Sequence, residues 1–370
     1  MKRSAFLLAA MGLFVECANA QSSVTLYGVV DSNVEYVNNH GGVAGASGSV
    51  FRVGSGGFAS NRWGIRGIED LGGLSGVFTI ESGFNVDTGT QFNASRLYDR
   101  QTFVGLKSSR LGQLTFGRQY TAFFRGLANY SPSAYAPMYE PITLMTGLNF
   151  RSDNTVSYEG QFGALTARAN WTFGNGVFGS GETPGSIRAN AGYGAALDYS
   201  GGDFGVTVAY DQYNPTASTL GDPGIGKFRK AAIAAGYNLG QIRIFGGYRW
   251  GKNDYSNGAT AYRDDFLWAG VNYQATSALN FMLAYYYAKV HTVQATFSGT
   301  ASSPANPYQV SLMSSYAFSK RTNVYLTTAY SKHAALGLGG VSATAGSSAY
   351  QLGIGKDSQF GTAIGIRHIF

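Results

Sequence analysis

The chain has 370 residues, rich in glycine (52), tyrosine (25) and phenylalanine (24) but with only 8 prolines, and its formal net charge is +7. Charged residues make up 13%, about half the share usual in a soluble domain, and past the N-terminus no run approaches the roughly 20 apolar residues of a membrane-spanning helix. The single cysteine is Cys17, so beyond it both a disulfide framework and thiol chemistry are excluded.

The first element in chain order is an export signal. Lys2 and Arg3 precede an apolar run at 5–15, and Ala18-Asn19-Ala20 is a small-x-small cleavage site. These three parts make a secretory signal peptide. The run is too short for an anchor, and Glu16 before Cys17 does not suit a lipoprotein signal. Residues 1–20 are expected to be removed, leaving 21–370 as one domain.

The rest alternates with a period of two, the period of a β-strand. At 279–287, Leu279, Phe281, Leu283, Tyr285 and Tyr287 share one face, opposite Asn280, Met282, Ala284 and Tyr286. At 361–370, Ile364, Ile366 and Phe370 lie opposite Gly361, Ala363, Gly365 and Arg367. Seven short turn signals recur, at 70–73, 109–112, 159–163, 200–203, 238–241, 275–278 and 319–322. Their Gly, Asn, Asp and Ser tolerate positive φ or bond their own backbone. Eight longer polar connections fall between them, at about 38–57, 88–96, 121–150, 175–189, 214–228, 252–261, 292–307 and 335–358. Fifteen connections imply sixteen strands, with tight turns at one end of the sheet and long loops at the other.

That pattern predicts an all-β protein, a 16-stranded antiparallel up-and-down transmembrane barrel with short periplasmic turns and long extracellular loops. In lipid the strands must close, because an open edge leaves backbone groups without partners. Both termini then lie on the turn side, and the expected location is the outer membrane of a Gram-negative cell. A soluble β-helix, propeller or sandwich competes with this reading. No fixed repeat supports the first two, and a sandwich would hide its aromatics. Here Tyr27, Tyr36, Phe78, Phe84, Trp250, Tyr285, Tyr287, Tyr316 and Tyr330 crowd strand ends and one strand face, as membrane-interface girdles require.

Several segments resemble the Gram-negative general (trimeric) porins of the β-proteobacterial type. They are Ser23-Val-Thr-Leu-Tyr-Gly28 with Asp31, then 61–72, 78–84, 103–106, 114–120 and the terminal Gly365-Ile-Arg-His-Ile-Phe370. The resemblance implies a homotrimer and a third loop folded into the lumen as a constriction, here 121–150. It also implies arginines on the facing wall, at Arg62, Arg118 and Arg151 with Arg66 nearby. Related loops carry several acids, but this one has only Glu140, together with Arg125. Phe370, in step with Ile366 and Ile364, looks like the signal read by the outer-membrane assembly machinery, and it ends the strand that pairs with 24–37.

Alternation tests these positions. Arg62 and Arg66 lie opposite Trp63 and Ile65, and Arg151 lies opposite Val156 and Tyr158. All three face the lumen if those apolar residues meet lipid. Arg118 falls with Leu114 and Phe116, and reaches the lumen only if the strand bulges or ends near Gly117. Charges in a narrow lumen with low-dielectric walls bias the local ion concentration. The expectation is therefore a passive pore for ions and small hydrophilic solutes, moderately anion-preferring, whose other partners are outer-membrane lipid and lipopolysaccharide.

Signals for other chemistry are weak. Gly174 to Gly179 spells a dinucleotide fingerprint with no helix after it, and His40, His291, His333 and His368 are scattered without metal-ligand spacing. Glu69-Asp70 and Asp264-Asp265 read as turn and rim charges rather than a catalytic dyad. No cofactor, enzymatic activity or nucleic-acid partner is expected. A barrel serving as an adhesion or recognition platform, and a solute-specific porin, remain as alternatives.

Overall fold

The computed structural model describes residues 22–42, 47–174, 176–177, 181–216, 220–341 and 349–370. The expected signal segment lies outside them. Among the described residues the alternating segments form seventeen strands. The first half of the sheet consists of β1 (Ser23–Gly41), β2 (Ser47–Ser55), β3 (Arg62–Asp70), β4 (Ser75–Gly83), β5 (Gln101–Ser108), β6 (Gly112–Tyr120), β7 (Arg151–Phe162) and β8 (Leu165–Thr172). It continues with β9 (Gly192–Gly201), β10 (Phe204–Tyr213), β11 (Lys227–Leu239), β12 (Ile242–Asp254) and β13 (Thr260–Gln274). The last are β14 (Leu279–Val293), β15 (Tyr308–Ala317), β16 (Thr322–Lys332) and β17 (Ser358–Ile369).

All pairings are antiparallel, and β17 returns to β1, so the sheet closes. Seventeen segments fill sixteen positions. β1 pairs with β3 along its first part, from Ser23↔Ile68 to Val29↔Arg62, and with β2 further on, from Ser32↔Ser55. β2 and β3 thus follow one another along a single stave. The stretch at 38–57, expected to be a loop, is mostly strand for this reason. Phe51 and Val53 point outward and pair with Tyr36 and Val34, which gives the segment an apolar face despite its glycines and serines. The expected loop at 252–261 also shrinks, because β12 runs to Asp254 and β13 starts at Thr260. Its polar residues mark the barrel rim rather than a break. The tight connections at 71–74, 109–111, 163–164, 202–203, 240–241, 275–278 and 318–321 coincide with the seven turn signals.

The two faces are distinct. Along β14, Phe281, Leu283 and Tyr285 are exposed outside, while Met282, Ala284, Tyr286 and Ala288 are buried inside. Tyr316 and Tyr330 are likewise exposed on the outside. Tyr27, counted with the girdle from its place at a strand end, points inward instead and donates to Glu81 at 3.0 Å.

Two features hold the seam. Gly28 and Phe370 exchange backbone hydrogen bonds of 3.1 Å in both directions. The Phe370 ring occupies the space over Gly28, where an added Cβ would lie 2.3 Å from it. Nearby, the break between β2 and β3 folds around buried Asp31. Its carboxylate accepts from the backbone N–H groups of Gly57, Phe58 and Ala59 at 2.7–3.0 Å, and from the Tyr325 hydroxyl at 2.6 Å. A buried carboxylate needs such donors to offset its lost hydration.

Candidate functional site

The segment at 121–150 does not extend beyond the rim. It turns into the barrel as helix α1 (Ala122–Leu127), a 3-10 turn (Ala128–Tyr130) and helix α2 (Ile142–Thr146). Thr121 caps α1, its hydroxyl accepting from Phe124 N–H at 3.3 Å. Phe123, Leu127, Tyr130, Leu144 and Met145 are buried against a patch of small inward side chains, Ala196, Ala209, Ala232 and Ala234, and against the larger Phe266, Trp268 and Tyr286. The alanines leave the volume that the helix fills. Gly126 completes the fit, since a Cβ there would stand 2.8 Å from the Ala196 methyl.

Polar tethers fix the segment on several walls. Trp268 Nε1 donates to Tyr130 O at 2.8 Å, and Arg249 Nη2 donates to Leu144 O at 2.6 Å. Asn149 and Lys230 meet on Asp211 at 2.8 and 2.6 Å. The opposite wall supplies Glu35, which accepts from the hydroxyls of Tyr139 at 2.9 Å and Tyr350 at 2.7 Å. Ala134, Tyr135 and Tyr139 sit at φ of 54°, 61° and 65°. Non-glycine residues adopt this left-handed conformation at a cost that surrounding contacts must offset.

Between this segment and the wall formed by β17 and β1 to β7 lies a cavity of about 800 Å³. Tyr120, Phe124, Tyr135 and Phe150 line its loop side, with Phe124 4.4, 4.3 and 5.5 Å from the other three ring centres. Arg52, Arg62, Arg100, Arg151 and Arg367 also line it, together with Glu35, Glu81, Asp87 and Glu140.

The count is nearly even, but the exposure is not. Glu35 is clamped by Arg52 at 2.6 Å, with side-chain exposures of 1% and 35%. Glu81 takes Arg100 at 2.5 Å and Arg62 at 3.6 Å, and is 5% exposed against 28% for Arg62. Glu35 and Glu81 thus lie behind the guanidiniums, and Asp87 is the one exposed acid of the lining. Arg367 makes no ion pair among the described residues; it bonds Asn323 Oδ1 at 2.8 Å and lies 4.3 Å over the Phe58 ring. Glu140 is buried within its own loop and accepts from Ser131 at 2.7 Å, Ser133 and Tyr286. Burial pushes its carboxyl above the usual range, although those hydroxyls oppose the shift. Among the described residues no cation pairs with it.

Of the positions singled out in the sequence, Arg62, Arg151 and Glu140 line this cavity, and Arg66, Arg118 and Arg125 do not. Arg66 faces inward nearer the turns, over the Tyr27 ring. Arg125 lies across the loop, paired with Glu159 at 2.7 Å beside Arg168. Arg118 sits at a bulge, where the β6–β7 register shifts between Gly117 and Gln119. Gly117 has φ 132°, and a Cβ there would strike Thr102 O at 2.2 Å. Arg118 joins Arg96 on Asp153, each at 2.6 Å, rather than entering the cavity.

Sequence reasoning missed Arg52, Arg100 and Arg367. Alternation places Arg367 opposite Ile366 and could have found it. Arg52 was hidden by the reading of 38–57 as loop, and Arg100 precedes its strand. Asp264 and Asp265 point to opposite faces, the first to Arg249 inside and the second to His291 and Tyr248 outside. Gly174 to Gly179 falls partly outside the described residues.

A family model described as Gram-negative porin matches residues 7–335. An outer membrane porin protein of Bordetella pertussis is 32% identical over 236 residues, or 58% of this chain and 60% of its own length. Outer membrane porin protein 32 of Delftia acidovorans is 29% identical across 100% of both chains. Among solved structures, an anion-selective porin from Comamonas acidovorans superposes with a TM-score of 0.75 at 24% identity, over 95% of this chain and 100% of that one. The trimer form of OmpT from Vibrio cholerae gives 0.68 at 16% identity, over 94% and 99%. At these identities the superpositions speak for the fold.

Proposed function

The chain belongs to the Gram-negative porin family, proteins of the outer membrane, and from that premise we propose a passive diffusion pore that favours anions. The observation that carries the preference is the layering of charge in the cavity. Arg52 and Arg62 face the open space with Glu35 and Glu81 behind them, so that five lining arginines stand against Asp87 as the one exposed acid. Low-dielectric walls concentrate that field on a passing ion. Arg52, Arg62, Arg100, Arg151 and Arg367 form the basic wall of the constriction. The segment at 121–150 is its opposite side, held stiff by the aromatic stack and by its tethers to both walls. Arg118 and Arg125 act at one remove, in the ion-pair clusters that hold the bulge and the underside of the loop.

The Comamonas protein of the same fold is described as anion-selective, in line with this reading. The preference is general rather than solute-specific, because the arginines are spread over five strands and their flanks and do not converge on one point. The chain acts as a channel and not as an enzyme, and it assembles as a homotrimer in lipid and lipopolysaccharide. The assembly machinery reads its terminal Phe370 with Ile366 and Ile364. Reversal potentials of the purified protein in a planar bilayer under a salt gradient test the proposal. Anion-side potentials support it, and a cation preference overturns it.

A further inference from the structure

The loop side of the cavity is aromatic where packing does not require it. Helix α1 carries two adjacent phenylalanines. Phe123 is fully buried and supplies the contact with the wall. Phe124 is half-buried and lines the cavity instead. Tyr120 stacks on it at 4.4 Å and 7°, and Tyr135 at 4.3 Å and 27°. Phe150 lies 5.5 Å away at 26°. All four rings line the cavity and keep part of their surface exposed. Apolar surface left open to water in this way marks a site of contact. Among the five lining arginines, Arg151 joins this stack to the basic wall. Its guanidinium lies 4.8 Å from the Phe150 ring centre and 5.4 Å from that of Tyr120. It is otherwise loosely engaged. Among the described residues its one hydrogen bond runs from Nη1 to Asp99 O at 3.4 Å, and the Asp99 carboxylate stands 3.7 Å off. Arg100 reaches the same stack, donating to the Tyr120 hydroxyl at 2.9 Å.

We propose that this part of the constriction is a subsite for carboxylates carried on an aromatic ring, which it retains longer than saturated anions of similar size and equal charge. The inference rests on the anion-pore reading and names a class of solute within it. A carboxylate accepts from the remaining donors of Arg151. The ring attached to it then lies beside Phe150 and Phe124. An aromatic ring has a negative face and a positive edge, so it gains from a second ring whether the two stack or meet edge to face. A saturated ring has neither. Inorganic anions use only the arginines, and their general preference is unaffected. The stack takes any aromatic ring, so the subsite ranks solutes by class and not by identity.

The test uses the full-length protein in a planar bilayer, with chloride current blocked by sodium benzoate or by sodium cyclohexanecarboxylate. Both are ionised at about pH 7 and close in size, and they differ in the ring. Benzoate should half-block at an about fivefold lower concentration. A contact governed by apolar area alone gives the opposite order, because the saturated ring is the bulkier one. Phe124→Leu keeps an apolar side chain and removes the ring, so it should bring the two half-blocking concentrations together. The ratio is internal to each protein, and a change in loop position or conductance does not disguise it. Phe150→Leu repeats the reading from the other end of the loop if Phe124→Leu fails to assemble. Equal block by both solutes in the unaltered protein, weaker block by benzoate, or a ratio unchanged in the variants overturns the proposal. A cation preference in plain potassium chloride would overturn the pore reading instead, and would leave the ratio of these two equally charged solutes readable.

Discussion

Arg367 offers a quantitative test of the layered-charge argument. It faces the cavity and makes no ion pair among the described residues, so Arg367→Gln removes one positive charge without breaking a salt bridge. A sphere of about 800 Å³ has a radius near 6 Å, which puts a central ion about 7 Å from the guanidinium. At an effective dielectric of about 20 the pair is worth about 2.4 kcal/mol. Screening over a Debye length of about 8 Å at physiological salt lowers this to about 1 kcal/mol. The charge helps an anion and hinders a cation, so the permeability ratio responds to about twice that value and falls roughly thirtyfold at most. At 1 M salt, where the Debye length is about 3 Å, the same arithmetic leaves only about a twofold change. Reversal potentials of the two proteins at both salt levels supply the assay. A shift equally large at 1 M, or none at low salt, would refute the reasoning. Lys320→Gln, in a turn at the barrel end, serves as the control and should change neither.

Three further substitutions test the geometry. Burial raises the Glu140 carboxyl, so as pH falls through its raised value the lumen loses a negative charge and anion preference rises. Glu140→Gln should abolish that pH step in the reversal potential. The same shift means the folded state binds the proton more tightly than the unfolded one. Stability is therefore highest below the unfolded carboxyl value and declines as pH rises to the folded one, and in Glu140→Gln this slope disappears from thermal melts. Gly117→Ala forces a Cβ against Thr102 O at φ 132° and should cost about 2 kcal/mol or more, read as a lower melting temperature of the detergent-solubilised barrel. Tyr139→Phe removes the 2.9 Å bond to Glu35 and should add closing events to single-channel traces, with mean conductance little changed.

The barrel was legible in the sequence because alternation and turn chemistry are local properties. Seven turn signals and the outward faces of β14 and β17 follow directly from residue order. The split stave was not legible. Phe51 and Val53 sit among glycines and serines, and only pairing with β1 makes them strand. The cavity was partly legible. Arg62 and Arg151 obey the pleat, but Arg52 and Arg100 depended on boundaries that local signals do not define. Arg118 shows the converse limit. The bulge at Gly117 is present, yet the side chain settles on Asp153, a partner 35 residues away that no periodicity could have nominated. Glu140 was visible as the lone acid of its loop, but its enclosure by Ser131, Ser133 and Tyr286 arises only once the loop has folded against β14.

The seam between β1 and β17 bears on the order of events during biogenesis. Val29 pairs with Ile369, so the contact that closes the barrel joins nearly the first described residue to nearly the last. Joining ends some 340 residues apart costs on the order of 5 kcal/mol in chain entropy if attempted from the open chain. The cost falls once the intervening hairpins have drawn the ends together. Closure is thus a late event that waits for β17 to be synthesised. Until then both terminal strands expose unpaired edges, which makes the unclosed chain open to strand addition by a helper protein and also prone to aggregation.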